Sequence, residues 1–273
     1  MTSHRLGRLM ASTTLAVAVA TAGGLAQGRG SAAPVAPAAG TPHLLVQVWH
    51  VKPDMIALFR DLVSKQLLPA QKNAGLAFRW TWADSPMGGT GFTFVSTQPL
   101  ANYAQLAAGP AGRRGMGDAA WNEYNIKLRT TLTGTESYMY TMRPDLSIQS
   151  GLATAPAFVE VTEWQAFNGK AQDFARVTSS DYIPNYRKGG IKDLWTYVVD
   201  YGETPANRFV LVRGMTGYAD LDTSALPKAG LAADAIAQMN QRRGETATGM
   251  NRRVYQFEPE LSFGSPSAAT TTR

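Results

Sequence analysis

The sequence predicts an α+β fold: two tandem βαββαβ repeats whose sheets cover each other. Three observations predict it. The 273-residue chain repeats itself at a shift of 115 positions. Each copy alternates strand-like and helix-like apolar periods in the order β-α-β-β-α-β. A four-stranded sheet with both helices on one face leaves the other face bare, and a second copy is what can bury it.

The duplication is dense. Trp49 falls on Trp164, Phe59 on Phe174, Pro69 on Pro184, Gly75 on Gly190 and Trp80-Thr81 on Trp195-Thr196. The same shift continues without a gap through Phe94-Val95 on Phe209-Val210, Tyr140 on Tyr255 and Pro144-x-Leu146-Ser147 on Pro259-x-Leu261-Ser262. Between His43 and Ile148, 23 of 106 pairs are identical, against roughly one in fifteen from composition alone, and a period this long means a duplicated domain rather than a solenoid.

The elements follow in order. The first strand is Leu44–His50 (copy Val159–Gln165), where Leu44, Val46 and Val48 alternate against Leu45, Gln47 and Trp49. A helix over about 54–67 carries the stripe Met55, Ile56, Leu58, Phe59, Leu62 and Val63; Pro69 and Pro184 are expected to end it, with Gly75 and Gly190 at the turn that follows. Two strands come next, Leu76–Ala83 and Gly91–Thr97 (copies Ile191–Asp200 and Asn207–Arg213), joined through Gly88-Gly89 and Gly202-Glu203. A second helix over about 118–131 (231–243) and a last strand, Ser137–Met142 (Arg253–Phe257), close each copy. The repeats therefore span 43–150 and 151–265. Gly115-Met116-Gly117-Asp118-Ala119-Ala120 has dinucleotide-fingerprint spacing but no parallel strand before it, so it reads as a loop entering a helix.

This order is the ferredoxin-like arrangement. Over about 43–263 the chain resembles the dimeric α/β-barrel superfamily, the group of antibiotic-biosynthesis-type monooxygenases, haem-degrading enzymes, chlorite dismutases and NIPSNAP-like proteins, here as a fused pseudo-dimer. The resemblance rests on element order and duplication. It implies a barrel fold and, for activity, cofactor-independent monooxygenase or lyase/isomerase chemistry. In haem-degrading members and chlorite dismutases an axial histidine comes from a helix late in the unit. No histidine follows position 50 here, so no cofactor is expected, and a haem would need a rearranged site using His50 or a tyrosine.

Residues before and after the repeats address compartment. Arg5 and Arg8, an apolar stretch from Leu9 to Ala20 and the small-residue run Thr21–Ala26 read as a secretory signal peptide over 1–26, cleaved near Ala26 and leaving no membrane anchor. Residues 27–42 are an Ala/Pro/Gly-rich disordered tether and 266–273 a disordered tail. The expectation is an exported protein, periplasmic or extracellular. Its mature net charge is +4, from 24 basic and 20 acidic side chains, and its basic pairs are scattered, so nucleic acid is not an expected partner. The absence of cysteine removes disulfides and thiolate chemistry, and no clustered acidic loop offers a metal site.

Candidate site residues come from the aromatics and the few titratable groups. Trp80 and Trp82 share a strand face, as do Trp195 and Tyr197, and with Trp49 and Trp164 they could line a pocket for a small apolar or aromatic molecule or fill the core. Arg79, Arg208 and Arg213 are candidates for an anionic ligand. His50, opposite Gln165 in the copy, is the best general-base candidate, because imidazole ionises near neutrality. Glu160 and Glu163 are further catalytic candidates; three apart on a strand, they point to opposite faces and cannot act as a carboxylate pair. Three readings follow: an aromatic-lined binding protein, an enzyme of the class the resemblance implies, or a structural module docking another envelope protein. The oligomeric state is open, since fusion already supplies the contact that single-domain relatives gain by dimerising.

Overall fold

The computed structural model describes residues 43–86, 89–149, 154–202, 207–222 and 224–265. The expected signal peptide, tether and tail lie outside the described residues, as do Gly88 and Glu203 of the two hairpin loops. The βαββαβ order occurs twice. The strands are β1 (His43–Val51), β2 (Trp80–Asp84), β3 (Thr93–Leu100), β4 (Leu132–Met142), β5 (Phe158–Ala166), β6 (Leu194–Tyr201), β7 (Arg208–Met215) and β8 (Ala247–Phe257). All pair antiparallel, and they close into one barrel in the order β1-β3-β2-β8-β5-β7-β6-β4. The two sheets thus meet not only face to face but also edge to edge, at β2/β8 and β4/β6. Closure removes every free edge, which burial of the bare faces alone would not do.

Helices pack outside the barrel. In the first copy they are α1 (Ile56–Leu62), α2 (Leu68–Asn73), α3 (Ala111–Met116) and α4 (Asp118–Thr131); in the second, α5 (Ala171–Val177), α6 (Ile183–Lys188), α7 (Ala225–Lys228) and α8 (Ala233–Gly244). Three expectations are corrected. Pro69 and Pro184 do not end the first helix of each copy, because a π-helical turn (Val63–Leu67, Thr178–Tyr182) precedes each and the backbone stays right-handed through it. Such a widened turn has already shifted the hydrogen-bond ladder, so a missing proline N–H leaves no further break. The helix stops instead at Gly75 and Gly190, whose φ values of 77° and 88° favour glycine. The fingerprint-like run at Gly115 lies not in a loop but across α3 and the start of α4. Also, β2 starts at Trp80 rather than Leu76; residues 76–78 have no strand partner, and Arg79 makes one bridge, to Phe263.

Gly115 has a packing role. A Cβ there would sit 1.7 Å from the Ala70 carbonyl oxygen of α2, and the second copy makes the same close helix approach with the glycine on the other partner, Gly189 against Ala225 at 2.0 Å. Gly115→Ala should therefore lower stability by about 1–3 kcal/mol. The urea midpoint checks this, with Gly244→Ala as the control, because a Cβ at Gly244 meets nothing within 4 Å.

After its last strand each copy crosses to the other. Leu261 is fully buried in the core formed by Trp49, Phe59 and Phe94, while Leu146 is fully buried with Phe174 and Phe209. The Thr81 hydroxyl donates to the Leu261 carbonyl at 2.8 Å and the Thr196 hydroxyl to that of Leu146 at 2.6 Å; the Thr81 and Thr196 amides donate to Ser262 and Ser147, each at 2.9 Å. This reciprocal exchange accounts for two of the repeated motifs, Trp-Thr and Pro-x-Leu-Ser. Each half's core is completed by the other half. Among the described residues no helix is long and apolar enough to cross a membrane.

Candidate functional site

The pleat sends alternate residues of every strand into the barrel, where they bound a cavity of about 870 Å³. Four steps around an eight-stranded ring is half a turn, so each strand faces its own repeat equivalent: β1 faces β5, β2 faces β6, β3 faces β7 and β4 faces β8. The walls are Trp80 and Trp82 on β2, Trp195 and Tyr197 on β6, Tyr138 and Tyr140 on β4 and Tyr255 on β8, with valines between them. Trp80 and Trp82 meet edge to face at 5.8 Å, and the Trp80 indole N–H donates to the Gly264 carbonyl at 3.0 Å. Tyr140 and Tyr197 lie 5.9 Å apart. Burial raises the pKa of both phenols, so they stay protonated at neutral pH.

Polar groups gather where β1 runs between β3 and β4. The register places His50 opposite Thr93 and Val48 opposite Glu136, and all four line the cavity. His50 Nε2 lies 2.8 Å from Glu136 Oε1, and Nδ1 lies 3.4 Å from the Thr93 hydroxyl. A carboxylate can only accept, so Nε2 carries a proton, and in the neutral imidazole Nδ1 is then the nitrogen with the lone pair. The Tyr138 hydroxyl donates to the other Glu136 oxygen. That bond, then His50, holds the Glu136 carboxyl below the usual carboxylate range, while burial first and Glu136 second push Tyr138 up to about 12. From the second copy, Glu163 and Arg208 form an ion pair with side chains only 15% and 10% exposed, and the Arg208 guanidinium lies 5.7 Å from the Tyr138 ring centroid.

Glu136 gives a pH signature. Its folded-state pKa is depressed, so the stability it lends is present above its unfolded value and lost as pH falls through the lower folded one. Tyr138→Phe removes the main cause. Carboxyl-resolved NMR should then show Glu136 titrating closer to the ordinary range, with stability less dependent on pH on the acid side.

Of the expected site residues, the structure brings His50, Glu163, Trp80, Trp82, Trp195 and Tyr197 to one cavity. It puts the others elsewhere. Trp49 packs on Phe59 at 5.3 Å and Trp164 on Phe174 at 6.0 Å, in the layer between sheet and helices, because odd positions of β1 and even positions of β5 face outward. Arg79 is fully buried in that layer, 4.7 Å from the Trp49 ring, donating to Gln71 at 3.3 Å; burial lowers its pKa to about 10. Glu160 also faces outward, held by Arg213 at 3.4 Å and by Arg252. Arg213 is engaged there and with the Asp220 carbonyl, whereas Arg208 does enter the cavity. Sequence reasoning missed Glu136, Tyr138, Thr93, Asn251 and Arg253. A signal existed: laid on the other copy, Glu136 meets Asn251, Tyr138 meets Arg253 and Thr93 meets Arg208, three substitutions on one inward face. Among the described residues no group of three or more His, Asp or Glu could hold a metal ion.

The fold and this cavity define the dimeric α/β-barrel class, with both halves on one polypeptide. No family model matches the chain, and no curated protein does. Solved structures do resemble it. A provisionally assigned monooxygenase from Lactobacillus acidophilus NCFM superposes with a TM-score of 0.53 at 7% identity, over 82% of this chain and 96% of that one. An anthrone oxidase-like protein gives 0.54 at 8% identity, over 80% and 92%. A provisionally assigned chlorite dismutase gives 0.51 at 8% identity, over 85% and 99%. At such identities the likeness is one of fold.

Proposed function

We propose that the protein is an exported, cofactor-independent enzyme that removes an acidic proton from a flat aromatic substrate and lets the resulting carbanion react with dioxygen. The observation that carries this reading is the His50–Glu136 pair opening onto an aromatic cavity. Glu136 fixes the imidazole tautomer and stabilises the imidazolium formed when Nδ1 takes the proton. The indoles and phenols sandwich the substrate and keep water from the carbanion. The balance closes without a cofactor: a CH2 group between rings and one dioxygen give a hydroperoxide, which loses water to leave a carbonyl. The names of the first two structural neighbours agree with oxygen chemistry.

Haem is the cofactor that the third neighbour's class would suggest, and the cavity has room for it. His50 does not suit it as a ligand, so a haem here would have to take one of the cavity tyrosines, Tyr138, Tyr140, Tyr197 or Tyr255. Nε2, the ring nitrogen farthest from the main chain and best placed to meet an iron, is held by Glu136, so His50 would have to abandon that partner. A simpler binding role rests on the mostly apolar wall of tryptophans, tyrosines and valines.

The test is dioxygen uptake by the purified mature protein on anthrones and hydroxynaphthalenes. The expected product has gained one oxygen and lost two hydrogens. Saturable binding without uptake favours the binding role, and a Soret band in the purified protein overturns the cofactor-free reading.

A further inference from the structure

We infer that the substrate of this cavity is an aromatic anion whose acidic group is held by Arg253, across the barrel from the base. The inference rests on the proposed aromatic site and adds to it a substrate class and a specificity residue.

Charge is distributed unevenly over the two copies. On β4 and β1 the first copy presents Glu136 and His50; on β8, diametrically opposite β4, the second presents Asn251 and Arg253. Arg208 and Glu163 neutralise each other. Arg253 enters no ion pair among the described residues; the neighbour on its own strand that senses it is the Tyr255 phenol, whose pKa burial raises and Arg253 lowers. What is left is a carboxylate on one wall and a guanidinium on the opposite one. Arg253 is exposed while lining the cavity, as are Met250 and Asn251 beside it, so this stretch of β8 forms the mouth. A register shift between Glu163 and Trp164, opposite Met250, locally disrupts the ladder there.

This polarity suits one orientation of one kind of guest. An acid group docks on Arg253 at the mouth, where a guanidinium can grip two oxygens at once. The rings extend between the indoles, and the far end reaches His50. Once the proton has moved, the imidazolium and Glu136 form a neutral pair, and the new negative charge lies between them and Arg253. A homodimer has two identical walls and cannot make this distinction; the fused chain can.

A pair of dyes that differ only in the acid group tests it: 1-anilinonaphthalene-8-sulfonate and its uncharged parent N-phenyl-1-naphthylamine, titrated by fluorescence. The wild-type protein should prefer the sulfonate. Arg253→Gln should weaken the sulfonate about tenfold, the scale of one charge-assisted hydrogen bond, and leave the parent unchanged. Arg253→Lys should retain part of the preference. Arg252→Gln makes the same change in net charge on the outer face and should do nothing to either dye. Equal sulfonate affinity in wild type and Arg253→Gln, or equal weakening by Arg252→Gln, overturns the inference. Failure of both dyes to bind overturns it together with the aromatic site. Loss of oxygen uptake as the proposed chemistry, with the dye preference intact, would leave the anion site standing.

Discussion

His50→Gln should lower turnover by about 100- to 10,000-fold, the range that general-base catalysis supplies, while moving the unfolding midpoint little. Glutamine is what the second copy carries at the equivalent position, so the backbone tolerates it there. Its amide can still donate to Glu136, which separates loss of the base from loss of the structure. Glu136→Gln should be milder in the same assay, since the imidazole remains but loses the carboxylate that orients it and stabilises its charged form. Because neither side chain forms the aromatic walls, substrate affinity should change much less than turnover. A loss confined to KM in the His50 variant would make the residue a binding contact and remove the base from the mechanism. Measuring dioxygen uptake across a range of substrate concentrations distinguishes the two.

The fold was legible because it is written twice. Paired apolar periods place all eight strands, and the match of Trp80 with Trp195 shows which faces correspond. What the pattern could not show is closure: nothing in β2 or β8 alone says that Trp82 lies opposite Phe257, because edge pairing is a property of the assembled sheets. The Pro-x-Leu-Ser match marked the duplication, but only the assembled structure shows that these are the segments each half lends to the other. The aromatic half of the site was readable from strand alternation. Its polar half was not, because His50 and Glu136 are 86 residues apart and meet only through the register of β1 with β4. Arg79 and Trp49 looked functional by residue type, yet strand parity turns them toward the helices.

The buried ion pair should respond to mutation in a way that surface charge would not. Glu163 and Arg208 occupy positions where the first copy has Val48 and Thr93, so each copy offers a working alternative for the other. Arg208→Thr alone leaves the Glu163 carboxylate in an apolar cavity without its partner, and Glu163→Val alone strands the guanidinium against the Tyr138 ring. Each single change should destabilise the protein by about 3–5 kcal/mol, because an uncompensated buried charge is what is left. The double variant replaces both charges with the first copy's residues and should recover most of that loss, since two desolvated ions gain little over an apolar pair of similar fit. Urea unfolding of the four proteins gives the coupling free energy. Independent, additive losses would mean that water reaches the pair and screens it, in which case the barrel interior is wetter than its aromatic walls indicate and the carbanion would lose its shelter from solvent protons.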